Sequence, residues 1–296
     1  MGKDLALAYP SARDVFDAAD RALGVPLSQL CFEGPDEELM ATKNAQPALL
    51  THGAAVWAVV ANRVRPHVRA AAGHSLGEFT AYHAAGSLAF ADALRLVRRR
   101  GELMFESGAR RPGAMAAILG LAEEKVEEAC ARARDFGEVV PANYNTPEQL
   151  VISGEVVAVE RAMELAKELG AKRAIRLNVS GAFHSPLMQE AASGLEAALH
   201  AALFAAADFP VYSNVSAHPA AGSEDAKALL LRQLTSPVRW TELVRQTAKD
   251  LPGSLYVEMG PGAVLSTLVK RIVPGARTMT CGTPAEIEQL LAQVAW

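Results

Sequence analysis

The chain has 296 residues, half of them apolar, with a formal net charge of −4 and a slightly positive mean hydropathy. That supplies a core for one large domain, or for a domain carrying a smaller inserted one. Acids and bases are interspersed, no apolar run reaches the length of a membrane span, and Met1-Gly2-Lys3-Asp4 opens no signal-peptide core; a nucleic-acid surface and a membrane are excluded, and a cytoplasmic protein is expected.

Residues 5–23 show helical periodicity, punctuated by Pro10 and Ser11. Ser11 is the expected N-cap of a helix through Val15, Phe16 and Ala19. A loop rich in Gly, Pro and acids follows at 32–37. Asn44-Ala45-Gln46-Pro47 then leads into an apolar helix over 48–60, with Gln46 readable as a capping polar residue. Cys31, Cys130 and Cys281 are odd in number and lack metal-ligand spacing, so they read as buried or indifferent thiols.

An apolar run at 68–72 reads as a buried strand, and 78–85, free of Pro and Gly, as a helix. Between them stands Gly73-His74-Ser75-Leu76-Gly77. Gly-x-Ser-x-Gly between a strand and a helix is a nucleophile elbow. The tight turn calls for glycine on both sides of the serine, whose hydroxyl is held exposed at the tip. The following helix offers unpaired N–H groups to an oxyanion.

After a turn at 86–88, Asp92 opens a helix over 93–105 containing Arg98-Arg99-Arg100. Leu94, Leu96, Val97, Leu103 and Met104 define its apolar face. At 100° per residue Arg99 points away from that face, Arg98 sits at its edge and Arg100 falls inside it. An inward arginine needs an anion. Periodicity leaves open whether that anion is a structural carboxylate or a substrate.

Residues 110–180 change character. A strand at 114–119, a helix at 123–134, strands at 139–143 and 149–153 joined by Asn145-Thr146-Pro147, a helix at 156–169 and a strand at 174–179 give the order β-α-β-β-α-β. That is a split βαβ, ferredoxin-like unit. It interrupts an α/β core at 1–109 and 181–296. The second core segment opens with the loop Ser180-Gly181-Ala182-Phe183-His184-Ser185-Pro186 and a helix to 203. A strand at 211–215, helices at 227–234 and 240–248, a strand at 255–259, a helix at 264–272, a strand at 277–281 and a last helix complete it. No internal repeat or low-complexity linker is visible.

Ser75 requires a base. Of the seven histidines, His52, His83 and His200 lie in predicted helices, His67 precedes the elbow strand, and His74 adjoins the serine but points elsewhere. His184 and His218 remain, both in loops. His184 is favoured modestly, because catalytic groups collect in loops at strand ends.

The chain resembles the malonyl-CoA:acyl-carrier-protein transacylases of fatty acid synthesis. The matching stretches are Gln46-Pro47-Ala48-Leu49-Leu50, Gly73-His74-Ser75-Leu76-Gly77-Glu78, Leu96-Val97-Arg98-Arg99-Arg100-Gly101, Gly113-Ala114-Met115-Ala116-Ala117, Asn143-Tyr144-Asn145, Phe183-His184-Ser185, Arg232-Gln233-Leu234 and Glu258-Met259-Gly260-Pro261-Gly262, in the family's order across nearly the whole chain. The resemblance implies an α/β-hydrolase-like core with a ferredoxin-like insert. It implies Ser75 as nucleophile, His184 as base, and Arg100 as the partner of the malonyl carboxylate. The Gln233 backbone carbonyl is implied to orient the histidine, and the Leu76 N–H to be one oxyanion donor. Gln46, Asn143 and Asn145 match polar positions around the pocket. Phe183 matches the malonyl-selective pattern, and Lys172-Arg173 a site for carrier-protein docking. Malonyl-CoA and acyl carrier protein are the implied partners. No cofactor, metal, nucleic acid or membrane enters, and a monomer is expected.

The chain departs from the family at its start. The family begins with a strand and a Pro-Gly-Gln-Gly loop, whose glutamine backbone supplies the second oxyanion N–H, and this sequence contains neither. The chain as written is therefore expected to be poorly active and marginally stable. Three rivals stand beside the transacylase: a serine esterase or thioesterase with the same elbow, an acyltransferase feeding a polyketide synthase, and an inactive fold that acts by binding carrier protein.

Overall fold

The computed structural model describes residues 1–179 and 181–293. Ser180 and residues 294–296, which fall at the two ends of the second core segment, lie outside them. The structure is mixed α/β, and five helices come first: Lys3–Ala8, Pro10–Leu23, Leu27–Glu33, Asp36–Met40 and Thr42–Val64. The second starts at Pro10 and not after Ser11: Tyr9 is its N-cap and the proline takes the first helical position, where its missing N–H costs nothing.

Pro47 was expected ahead of its helix and lies inside it. A proline there cannot bond the carbonyl four residues back. The Lys43 carbonyl is instead met by Arg98 Nη1–H at 3.2 Å. Arg98 comes from the helix Phe90–Arg110, which crosses so closely that a β-carbon on Gly101 would lie 2.8 Å from the Thr42 carbonyl oxygen. Gln46 is thereby placed in the helix interior, facing the neighbouring helix.

The strands are β1 (Ala71–Ala72), β2 (Gly113–Leu119), β3 (Val139–Thr146), β4 (Gln149–Glu155), β5 (Arg173–Arg176), β6 (Val211–Tyr212), β7 (Leu255–Met259) and β8 (Arg277–Cys281). β1 and β6 are shorter than their apolar runs because they pair in parallel over two residues only. Asn145 and Thr146 belong to β3, not to the turn after it, since Thr146 pairs with Gln149. β2 to β5 form one antiparallel sheet in the order β3-β4-β2-β5. The helices Glu123–Ala133 and Val156–Glu168 pack on it through a cluster that includes Ile118, Val126, Ile152, Val159 and Leu165.

The helix expected at 227–234 begins at Ser223, where Gly222 precedes it and Glu224 and Asp225 face the positive end of its dipole. β7 and β8 form a second parallel ribbon. Between it and the β1-β6 ribbon lies a cleft of about 1180 Å3, lined by residues 69–74 on one side and 255–260 on the other. No described helix is long and apolar enough to cross a membrane.

Candidate active site

β1 runs into the elbow and the helix Gly77–Ala84 leaves it. Ser75 sits at φ +52°, a left-handed conformation that a non-glycine residue adopts only when its surroundings enforce it. The enforcing residue is Asn214, fully buried beyond β6. Its Oδ1 accepts from Ser75 N–H at 2.6 Å and its Nδ2–H donates to the Gly73 carbonyl at 2.7 Å.

The two glycines of the elbow are not equivalent. A β-carbon on Gly73 would lie 1.9 Å from the Gly77 carbonyl carbon, whereas one on Gly77 meets nothing within 4 Å among the described residues. The steric demand for glycine expected on both sides therefore exists only before the serine.

At the first turn of the helix, the N–H groups of Gly77 and Glu78 bond the carbonyls of His74 and Ser75. Ser75 N–H is taken by Asn214. The Leu76 N–H bonds no group among the described residues.

His184 reaches Ser75 from the loop before the short 3-10 turn Pro186–Met188, itself at φ +56°. Its Nε2 is 2.8 Å from Ser75 Oγ, and its Nδ1 is 2.9 Å from the backbone carbonyl of Gln233. A carbonyl only accepts, so Nδ1 carries the proton and Nε2 is left to accept the Ser75 hydroxyl proton. The ring is 4 % exposed. Burial first, and the Arg100 charge second, hold its pKa down to about 3. His218 lies in an exposed loop instead.

Of the three arginines, Arg98 bonds Glu102 at 2.7 Å and Arg99 is half-exposed. Arg100 is 1 % exposed. Its Nη1–H donates to Gln46 Oε1 at 2.7 Å, and its Nη2–H groups to Gln233 Oε1 at 3.0 Å and Ser75 Oγ at 3.1 Å. The guanidinium lies over the Phe79 ring, 5.9 Å from its centre. Among the described residues no carboxylate lies within ion-pairing distance. Burial lowers its pKa to about 10, against the pull of Glu78, so it stays charged at neutral pH.

Glu78 is fully buried beneath this group. Its Oε2 accepts from Gln233 Nε2–H at 2.7 Å and from Asn214 N–H at 3.0 Å. Burial raises its carboxyl to about 7, while these donors, Ser213 and the Arg100 charge pull it down.

Ser75, His184, Arg100, Gln233 and Gln46 thus form one hydrogen-bonded group. Asn145 stands one step away, its Oδ1 2.8 Å from His74 Nε2. Asn143 is buried, with its backbone bridged to Val238. Phe183 is buried against Gly181. Lys172 and Arg173 are exposed at the start of β5, away from this group. The three cysteines are buried, and burial pushes Cys31 to about 11 and Cys130 and Cys281 to about 12, so they remain protonated thiols.

Sequence reading missed Asn214 and Glu78. Neither carries a local signal: one follows a short strand, and the other looks like any acidic residue in the first turn of a helix.

The acyl transferase domain family matches residues 1–283. A malonyl CoA-acyl carrier protein transacylase of Bacillus subtilis is 47% identical over 290 residues, 97% of this chain and 90% of its own length. The crystal structure of an acyl-carrier-protein-S-malonyltransferase from Bartonella henselae superposes with a TM-score of 0.95 at 41% identity, covering 100% of this chain and 95% of that one. A malonyl-transacylase solved in complex with its type II PKS acyl-carrier protein reaches a TM-score of 0.92 at 40% identity, covering 99% and 94%.

Proposed function

The chain belongs to the acyl transferase domain family, and from that premise we propose that Ser75, His184 and Arg100 carry its chemistry. The protein is an acyltransferase that moves the malonyl group of malonyl-CoA to the phosphopantetheine thiol of acyl carrier protein, supplying fatty acid synthesis. The observation that carries this reading is Arg100, buried, unpaired with any described carboxylate and 3.1 Å from the Ser75 hydroxyl. A carboxylate on the acyl group of the substrate satisfies it.

The reaction is ping-pong. Ser75 Oγ–H passes its proton to His184 Nε2 as the oxygen attacks the malonyl thioester carbonyl. The C–S bond breaks, His184 returns the proton to the CoA thiolate, and a malonyl-serine ester remains. The carrier's thiol then gives its proton to His184 and attacks the ester. Ser75 leaves as the alkoxide and recovers the proton. The Gln233 carbonyl fixes the imidazole tautomer throughout.

The Leu76 N–H serves the developing oxyanion.

The remaining assignments belong to the same reading. Gln46, Asn143, Asn145 and Phe183 shape the acyl pocket, and Lys172 and Arg173 meet the carrier protein. Residues 110–180 are a ferredoxin-like subdomain with its own apolar cluster, set in a core of 1–109 and 181–296. The protein acts as a cytoplasmic monomer. Incubation with labelled malonyl-CoA, followed by addition of holo acyl carrier protein, tests the function. A malonyl adduct on Ser75 that transfers to the carrier is expected. Hydrolysis of malonyl-CoA with no carrier product would instead identify a thioesterase.

A further inference from the structure

We propose that Glu78 is a positioning residue for carboxylate recognition, acting through the Gln233 side-chain amide to hold Arg100 against Ser75. This rests on the malonyl-transfer reading and adds to it a residue that touches neither substrate nor nucleophile.

The connection is a single chain of bonds. Gln233 Nε2–H donates to Glu78 Oε2 at 2.7 Å and to the Ser75 carbonyl at 3.1 Å. On its other side, Gln233 Oε1 accepts from Arg100 Nη2–H at 3.0 Å, and the same nitrogen donates to Ser75 Oγ. A primary amide has a donor end and an acceptor end. With Glu78 and a backbone carbonyl on one side, the NH2 end must face them. The oxygen is then turned to the guanidinium. Reversed, the amide would set NH2 against guanidinium and oxygen against carboxylate, two repulsive contacts in a fully buried site.

The placement of the charge matters as much as the amide. A carboxylate in direct contact with Arg100 would occupy the fork that reads the substrate. Glu78 instead stands behind Gln233, where the charge it carries once ionised favours the guanidinium without reaching it. The Arg100 fork faces the neutral oxygens of Gln46 and Gln233. An incoming carboxylate displaces neutral acceptors more readily than a fixed anion. The second bond to Glu78 Oε2, from Asn214 N–H, ties this support to the residue that holds the elbow.

The test is single-turnover acylation of Ser75 by malonyl-CoA and by acetyl-CoA. Glu78→Gln should lower the malonyl-to-acetyl rate ratio about tenfold, the scale of one charge-assisted hydrogen bond. It should leave the ratio unchanged in an Arg100→Ala background, where nothing remains to be positioned. Gln233→Met, which keeps the backbone carbonyl on His184, should lower the ratio by a similar factor. It decides the matter alone if Glu78→Gln does not fold. The proposal is overturned if Glu78→Gln slows both substrates equally, if its effect on the ratio persists without Arg100, or if Gln233→Met keeps the ratio. Absence of any malonyl adduct on the wild-type protein overturns the transfer reading itself, so the two failures are distinguishable.

Discussion

Arg100 and Ser75 are in direct contact: the guanidinium Nη2–H donates to the serine Oγ across 3.1 Å, inside a site where Arg100, among the described residues, meets only neutral acceptors. The serine hydroxyl is then held from two sides, donating to His184 and accepting from Arg100. A cation at this distance also stabilises the alkoxide character of the attacking oxygen.

Ser75→Ala should abolish the malonyl adduct and leave the fold intact, because the hydroxyl lies at the tip of a turn whose backbone is held by Asn214. Intact-protein mass spectrometry after exposure to malonyl-CoA checks the first outcome, and a thermal melt the second. An adduct that persists at another residue would show that the nucleophile is misassigned.

Arg100→Ala should cost malonyl transfer far more than acetyl transfer. Losing a charge-assisted pair to a buried carboxylate costs about 1.5–3 kcal/mol, roughly ten- to a hundredfold in the ratio of the two rates. Steady-state rates with both CoA esters check it. Equal losses would mean that the arginine serves packing and not recognition.

Asn214→Ala should destabilise the protein and slow acylation together. It orphans Ser75 N–H and the Gly73 carbonyl, each at about 1–3 kcal/mol when buried. A fall in Tm on the order of 10 °C follows, with kcat reduced more than KM, since the elbow loses its shape and the pocket does not. An unchanged Tm would refute Asn214 as the residue that holds the elbow.

Stability should fall as pH drops from about 6.5 to 5. His184 and His52 are held down to about 3 and about 4, mainly by burial, and His74 and His83 are lowered for the same reason. Below their unfolded pKa the unfolded chain takes up protons that the folded one refuses, and unfolding is favoured. Glu78 acts oppositely: raised to about 7, it holds a proton in the folded state that the unfolded chain lacks between about 4.5 and 7. The histidines outnumber it, so the net slope is positive. Thermal melts across that range check the sign, and a Tm that rises on acidification contradicts it.

The inward turn of Arg100 was legible because a helix repeats every 100°, so one apolar face locates every residue on it. The choice between His184 and His218 had no such ruler. Loops carry no period, so placement favoured His184 only modestly, and the resemblance added the rest of the distinction between two histidines that the fold places so differently. Glu78 and Asn214 escaped because their partners lie 136 and 139 residues away along the chain. A carboxylate early in a helix is already explained by the helix dipole, and nothing local asks for more. Strand lengths were overread at 68–72 and 211–215 for a related reason: an apolar run records burial, while strand extent depends on a neighbour to pair with.

The inequality of the two elbow glycines has a practical side. Gly73 has no room for a β-carbon, but Gly77 does, and it lines both the turn beside Ser75 and the cleft between the ribbons. The three native cysteines are buried. A thiol introduced at 77 is therefore a selective anchor for a fluorophore two residues from the nucleophile. It offers an optical readout of whatever enters the cleft, independent of turnover.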